Sequence, residues 1–168
     1  FGENKVQEAT EKWEELKKQN HNIKLHLIGK LQTNKVKFCL PLFDYIHSLD
    51  NLKLAEKISI QQIKTNFKPK IFIQVNIANE IQKNGIDISE LKNFLEVCIK
   101  NLDLNIIGLM CIPPNNESTE KYFKKMSQLN KEFGLKELSM GMSADYIDAI
   151  NHGATFVRVG SKIFGKRD

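Results

Sequence analysis

The sequence has few of the features that mark a secreted, membrane-bound or disulfide-stabilised protein. No apolar run approaches the ~18 residues of a membrane span, and no signal peptide is recognisable at the start. The only cysteines are Cys39, Cys98 and Cys111, which are widely spaced in apolar surroundings. An odd number of such cysteines predicts reduced core residues of an intracellular protein. Together with the missing membrane span and signal peptide, this predicts a cytoplasmic protein without a membrane partner.

Arginine is nearly absent, although the chain is basic. Its 25 lysines and arginines against 20 acidic residues give a net charge of +5, but the only arginines are Arg158 and Arg167. The lysines are scattered among acids and asparagines, which favours a solvated surface over a nucleic-acid-binding stripe. We therefore predict no nucleic-acid partner, while binding through the basic surface stays open as an alternative.

Several motifs of common enzymes are also missing. The sequence has no His, Cys and carboxylate grouping at metal-ligand spacing, so no metal site is predicted. It has no Walker loop, no nucleophile elbow and no GxGxxG. The sequence therefore predicts none of these common nucleotide-binding, hydrolase or metal sites.

Strand and helix patterns alternate along the whole chain. Apolar runs predict seven strands, one ending within residues 1–4 and the others at about 25–29, 45–49, 70–77, 105–112, 137–142 and 156–160. Helical spacing fills the intervals, with Asp50 and Ser89 as predicted N-caps and Gly134 closing a helix. This alternation predicts a parallel sheet with helical crossovers.

Seven strands are one short of a closed (β/α)8 barrel, and an open doubly wound sheet is the alternative. That sheet usually carries a glycine-rich phosphate loop after its first strand, whereas the small-residue junctions of this chain come last. We therefore predict an α/β fold, a TIM barrel whose first strand and helix lie upstream of Phe1. Residues 1–168 then form a single domain holding strands two to eight.

Those last two junctions are the most informative stretch. Residues 137–143 and 156–161 are apolar runs that break into Ser143 and Ser161, each before a predicted helix, 144–152 and 162 onward. Two adjacent helix starts offer unpaired N–H groups to a phosphate. The alternative is that both serines are ordinary N-caps.

Two polar residues interrupt strand patterns nearby. Arg158 lies inside a buried-type run, and an unpaired buried guanidinium is costly, so it must face an anion, a ring nitrogen or a carboxylate such as Glu137. His26 alternates with leucines and either points into the barrel near a ligand or is a hydrogen-bonded core imidazole.

Several motifs together resemble the pyridoxal phosphate homeostasis protein family. They run in the family's order over essentially the whole chain: Phe1-Gly-Glu-Asn4, Val6-Gln-Glu8, the stretch 26–35, Gly108-Leu-Met110, the stretch 138–143, Val157-Arg-Val-Gly160 and Ile163-Phe-Gly165. The resemblance implies a barrel of the alanine racemase N-terminal-domain type. It also implies a binding protein for pyridoxal 5′-phosphate (PLP) that buffers or delivers this cofactor without catalytic turnover.

The resemblance also assigns a site. The implied cofactor-binding residues are Asn4, His26, Lys83, Met110, Ser143, Arg158, Gly160 and Ser161. The family's Schiff-base lysine lies upstream of the Phe1 motif, so no catalytic residue is assigned. The implied partners are PLP and PLP-dependent apoenzymes, and the implied state is a monomer. A racemase-like enzyme and a remnant unable to bind PLP covalently are the alternatives.

Overall fold

A computed structural model describes residues 1–80, 84–114 and 117–165 of the protein. Its strands are β1 (Gly2–Glu3), β2 (His26–Leu27), β3 (Tyr45–Leu49), β4 (Lys70–Gln74), β5 (Ile106–Met110), β6 (Glu137–Met142) and β7 (Phe156–Arg158). Its helices are α1 (Val6–Gln19), α2 (Val36–Cys39), α3 (Leu52–Thr65), α4 (Ile88–Glu96), α5 (Glu120–Glu132), α6 (Tyr146–Asn151) and α7 (Ser161–Phe164). A 3-10 turn at Thr33–Lys35 precedes α2, and a π-helical segment at Val97–Asn101 continues α4.

The seven strands form one parallel sheet in which neighbours in sequence are neighbours in space, from β1 to β7. A doubly wound sheet would reverse its strand order, so that alternative is wrong. The sheet curls into a nearly closed barrel with β1 and β7 at its two edges. The predicted strand number and fold class are confirmed, although several strands are shorter than predicted. The strand predicted over 70–77, for example, ends at Gln74.

The core fills both sides of this sheet, as expected when crossover helices cover a parallel sheet. Phe43, Phe72 and Phe123 are among its largest fully buried side chains. The three cysteines are buried and free, which confirms their prediction as reduced core residues. At Gly108 a Cβ would lie 1.9 Å from the Glu137 carbonyl oxygen, so only glycine allows β5 and β6 to approach this closely.

Two of the three predicted helix caps differ in the structure. The side chain of Asn51, rather than Asp50, caps α3 by accepting a hydrogen bond from the Leu54 N–H at 2.9 Å. Helix α4 begins at Ile88, before the predicted cap Ser89. Gly134 follows the end of α5 at a φ of 65°, which confirms its predicted role because glycine adopts this conformation without strain.

Two absences hold over the described ranges. No helix there is long and apolar enough to cross a membrane. No group of three or more His, Cys, Asp and Glu side chains is placed to hold a metal ion within the same ranges.

Candidate functional site

The carboxyl ends of the parallel strands share one rim of the barrel, which is where barrel enzymes carry their functional groups. Met110 and Arg158 each end a strand, β5 and β7, and Asn4 directly follows β1. Register pairs bring the last three strands together here, with Met110 opposite Ser139 and Met142 opposite Arg158. The candidate site is this part of the rim.

The two serine junctions meet. The backbone N–H of Gly160 donates a hydrogen bond to Ser143 Oγ at 3.1 Å, and Ser161 follows as the first residue of α7. A Cβ placed on Gly160 would find no atom within 4 Å, so the backbone faces open space at this point. The loops after β6 and β7 thus bring a hydroxyl and the backbone N–H of Gly160 together beside open space.

Neither serine is an N-cap, so that alternative is wrong. Helix α6 begins at Tyr146, later than the predicted 144, and Asp145 rather than Ser143 occupies its N-cap position. Asp145 Oδ1 accepts from the Met142 N–H at 2.7 Å and so shapes the turn that carries Ser143. The first junction is therefore a turn, and only the second is a helix start, which corrects the predicted pair of helix starts.

Arg158 points inward rather than into bulk water. Its Nη1 donates to Ser139 Oγ at 2.7 Å and its Nη2 donates to the Cys111 carbonyl oxygen at 2.8 Å. Burial lowers the pKa of the guanidinium, while the nearby Cys111 and Asp145 act in the opposite direction. Within the described ranges, neither Glu137 nor another carboxylate forms an ion pair with it, so the alternative of a structural pairing with Glu137 is wrong. The guanidinium also has more N–H donors than these two bonds use.

A line of polar side chains continues from Arg158 through the barrel. Ser139 Oγ lies 2.9 Å from His47 Nδ1, and His47 Nε2 lies 3.1 Å from His26 Nδ1. Because His47 is on β3 and Ser139 is on β6, their contact crosses the barrel interior. Both residues are buried. His26 is thus a hydrogen-bonded imidazole, and it reaches Arg158 only through these two residues.

Sequence reasoning missed His47 and Ser139. Each is a polar residue within an apolar strand pattern, which is the same feature that identified Arg158, and neither was singled out. His47 and Ser139 lie 92 residues apart in the chain, so no local spacing reveals the pair.

Aromatic rings close the barrel below this line. The imidazole of His26 stacks on Tyr45 with ring centroids 4.1 Å apart, and His47 stacks on Phe72 at 4.4 Å. Phe156 contacts all four of these rings. His26, Tyr45 and Phe156 begin their strands, so this layer fills the amino-terminal half of the barrel. The polar groups that a ligand could contact therefore lie toward the carboxyl rim.

The other predicted residues occupy different places. Met110 is fully buried beside Ser139. Asn4 is exposed and follows β1, the sheet edge opposite β7. Its backbone lies close to Gly29, because a Cβ on Gly29 would be 2.2 Å from the Asn4 carbonyl oxygen. Lys83 lies outside the described residues.

Two open clefts flank the rim. One is lined by Asn4, Lys5, Val6, Gln7, Lys30, Gln32 and Lys35. The other is lined by Gln74, Val75, Asn76, Ile77, Ala78, Asn84 and Ile112. Neither cleft is lined by Ser143, Arg158 or Gly160.

Fold and site together define a barrel of the alanine racemase type. The model of the family described as alanine racemase, N-terminal domain, matches residues 1–168. Alanine racemase from Clostridium difficile is 17% identical with a TM-score of 0.72, covering 99% of this chain and 44% of that one, and supports the fold alone.

Nearer relatives are known. The pyridoxal phosphate homeostasis protein of Aquifex aeolicus is 40% identical over 176 residues, which are 99% of this chain and 76% of the relative. That of Haemophilus influenzae is 39% identical over 180 residues, 100% of this chain and 75% of the relative. PipY of Synechococcus elongatus, solved with PLP bound, is 36% identical with a TM-score of 0.89, covering 98% of this chain and 81% of that one. The chain belongs to the pyridoxal phosphate homeostasis protein family.

Proposed function

We propose that this chain binds PLP at the carboxyl rim of its barrel and takes part in intracellular PLP homeostasis. The phosphate lies against Ser143 Oγ and the backbone at Gly160 and Ser161, and Arg158 faces the pyridine nitrogen. The observation that carries this proposal is the meeting of the two loops, with Gly160 N and Ser143 Oγ 3.1 Å apart beside open space.

The donor set fits the two ends of the cofactor. A dianionic phosphate needs hydrogen-bond donors, which the hydroxyl and the backbone N–H groups supply. A pyridine nitrogen can accept a hydrogen bond from a guanidinium only through its lone pair. Arg158 has N–H donors to spare and no carboxylate partner among the described residues, so it suits an unprotonated ring nitrogen.

This pairing favours storage of the cofactor over catalysis. PLP acts as an electron sink in catalysis, and a protonated ring nitrogen held by an acid strengthens that role. A cation opposite the ring nitrogen keeps that nitrogen unprotonated and so makes PLP a weaker electron sink. We therefore propose a carrier without turnover that acts as a cytoplasmic monomer and delivers PLP to apoenzymes. The names of the homologues and the structure of PipY with PLP bound support a role in homeostasis.

The remaining predicted residues keep proposed roles of their own. By the family resemblance, Asn4, His26 and Met110 line the ring of PLP, and Lys83 takes part in transferring PLP. These assignments rest on the family resemblance.

Competitive titration tests the proposal. PLP, pyridoxal and inorganic phosphate are titrated separately into the protein while intrinsic fluorescence and thermal stability are followed. We expect PLP to bind more tightly than pyridoxal, because pyridoxal lacks the phosphate, and inorganic phosphate to compete with PLP. Arg158→Met is expected to weaken the binding of both PLP and pyridoxal, whereas Ser143→Ala is expected to weaken the binding of PLP alone. Equal binding of PLP to wild type and to both variants would show that the cofactor binds elsewhere.

A further inference from the structure

Four polar side chains beneath the rim form a chain of hydrogen bonds, and the donor and acceptor of each bond can be assigned from their chemistry. It runs from His26 through His47 and Ser139 to Arg158, with donor and acceptor atoms 3.1, 2.9 and 2.7 Å apart. Arginine only donates, so Ser139 Oγ accepts from Arg158 Nη1. The serine proton must then go to another acceptor.

His47 supplies that acceptor. Among the described residues, the side chain of Ser139 has hydrogen bonds with only Arg158 and His47, so its hydroxyl donates to His47 Nδ1. In the reverse arrangement His47 Nδ1–H and Arg158 would both donate to Ser139 Oγ. The buried hydroxyl proton would then lack a partner, which costs about 1–3 kcal/mol.

The tautomers of both imidazoles follow. His47 is buried between a second imidazole and a guanidinium, and this environment favours its neutral form. With Nδ1 accepting, its single proton is on Nε2 and is donated to His26 Nδ1. His26 then carries its own proton on Nε2 as well.

We propose that His47 is a positioning residue, which acts through Ser139 to hold the Arg158 guanidinium toward the carboxyl rim. The Cys111 carbonyl fixes Nη2 from one side, and the ordered line of Ser139, His47 and His26 fixes Nη1 from the other. No proton is transferred, because a guanidinium ends the line and does not give up its proton. The proposal concerns the architecture of the chain and holds whether or not PLP binds.

The first test needs no variant. Long-range ¹H–¹⁵N correlation spectra of histidine-labelled protein at neutral pH distinguish the two tautomers of each imidazole. We expect His26 and His47 to carry their proton on Nε2. His152 is an internal contrast, because its Nδ1 lies 2.8 Å from the Asp148 carbonyl oxygen and must be a donor. A proton on Nδ1 of neutral His47 would overturn the proposal.

The second test measures the guanidinium itself. The sequence has only two arginines, so Arg167→Lys leaves one set of side-chain signals, which belongs to Arg158. We expect its Nη groups to rotate slowly in this background and about tenfold faster after Ser139→Ala, as the loss of one hydrogen bond from a charged donor implies. A smaller acceleration is expected after His47→Phe, which leaves the Ser139 hydroxyl in place but without the acceptor that orients it.

Conservative variants separate positioning from packing. His47→Asn keeps an acceptor near the position of Nδ1, and Ser139→Thr keeps the hydroxyl, so both are expected to retain slow rotation. Circular dichroism and thermal melts establish that each variant is folded. Unchanged rotation in folded Ser139→Ala and His47→Phe would overturn the proposal, and the tautomer measurement decides it if these variants do not fold.

Discussion

The backbone N–H of Gly160 donates to the side chain of Ser143, a residue 17 positions earlier in the chain, at 3.1 Å. This bond joins the loops after β6 and β7 at a point where the Gly160 backbone faces open space. A phosphate placed in that space competes for the same donors. The bond therefore joins the two loops and holds them in the arrangement in which we propose that they bind an anion.

Removing the Ser143 hydroxyl tests both aspects. Ser143→Ala leaves the Gly160 N–H without its partner, and we expect a loss of about 0.5–1.5 kcal/mol in the free energy of unfolding. PLP affinity is expected to fall about tenfold, the effect of one lost hydrogen bond to a charged group. Urea unfolding and fluorescence titration measure the two effects. Ser89→Ala, on the exposed face of α4, is the control, and equal PLP binding by both variants would contradict the assignment.

A methyl group at Gly160 tests the open volume. The φ of Gly160 is −118°, which any residue adopts, and the new Cβ meets no atom within 4 Å. We therefore expect Gly160→Ala to change the free energy of unfolding by no more than about 0.5 kcal/mol. PLP binding is expected to weaken at least tenfold, because the methyl group occupies space that the phosphate needs, while pyridoxal binding changes little. A variant that binds PLP as wild type does would place the phosphate elsewhere.

The fold was predictable because its evidence is local. Apolar strands such as 45–49 and amphipathic helices such as α1 are visible within short windows, and their strict alternation implies a parallel sheet. Helix caps were predicted less well, because Asp50 and Asn51 are both good caps and only the observed backbone selects Asn51.

The grouping of residues at the rim was predictable, but the contacts beneath it were not. Ser143 follows β6, Arg158 ends β7 and Gly160 comes two residues later, so the order of strands alone predicts that they share one rim. His47 and Ser139 meet across the barrel, and that contact depends on closure of the sheet, which no short window contains. Arg158 was recognised as unable to remain unpaired, yet its partners are a hydroxyl and a carbonyl rather than a carboxylate.

Two glycines are expected to differ in their tolerance of alanine. Gly108→Ala would place a Cβ 1.9 Å from a backbone oxygen of the neighbouring strand, so β5 and β6 must separate. We expect a loss of several kcal/mol or failure to fold. Gly134→Ala meets no atom within 4 Å and carries only the cost of a positive φ, about 1 kcal/mol. Chemical denaturation of the two variants measures the difference, and similar losses would contradict the close approach of the strands.

Protonation of the buried imidazoles is expected to make stability depend on pH. Burial, His26 and Arg158 lower the pKa of His47 to about 3, and burial and the amino-terminal charge lower that of His26 to about 4, against a partial opposing effect of Asp44. Tyr45, Phe72 and Phe156 contact these two rings and Ser139 is hydrogen-bonded to His47, and these four side chains add no further charge.

Both folded-state pKa values lie below the ordinary value of 6.5, so the unfolded chain binds more protons than the folded chain as pH falls. The contribution of the two imidazoles to stability is complete above pH 6.5, declines as pH falls toward 3 and levels off once both folded-state pKa values are passed. For His47 the expected loss between pH 8 and pH 5 is on the order of 2 kcal/mol.

Urea unfolding at a series of pH values measures this loss. In His47→Asn, which cannot titrate, we expect the decline to be smaller by that amount, whereas His21→Gln, at an exposed position, should retain the wild-type slope. Parallel curves for wild type and His47→Asn would show that His47 is protonated equally in the folded and unfolded chains.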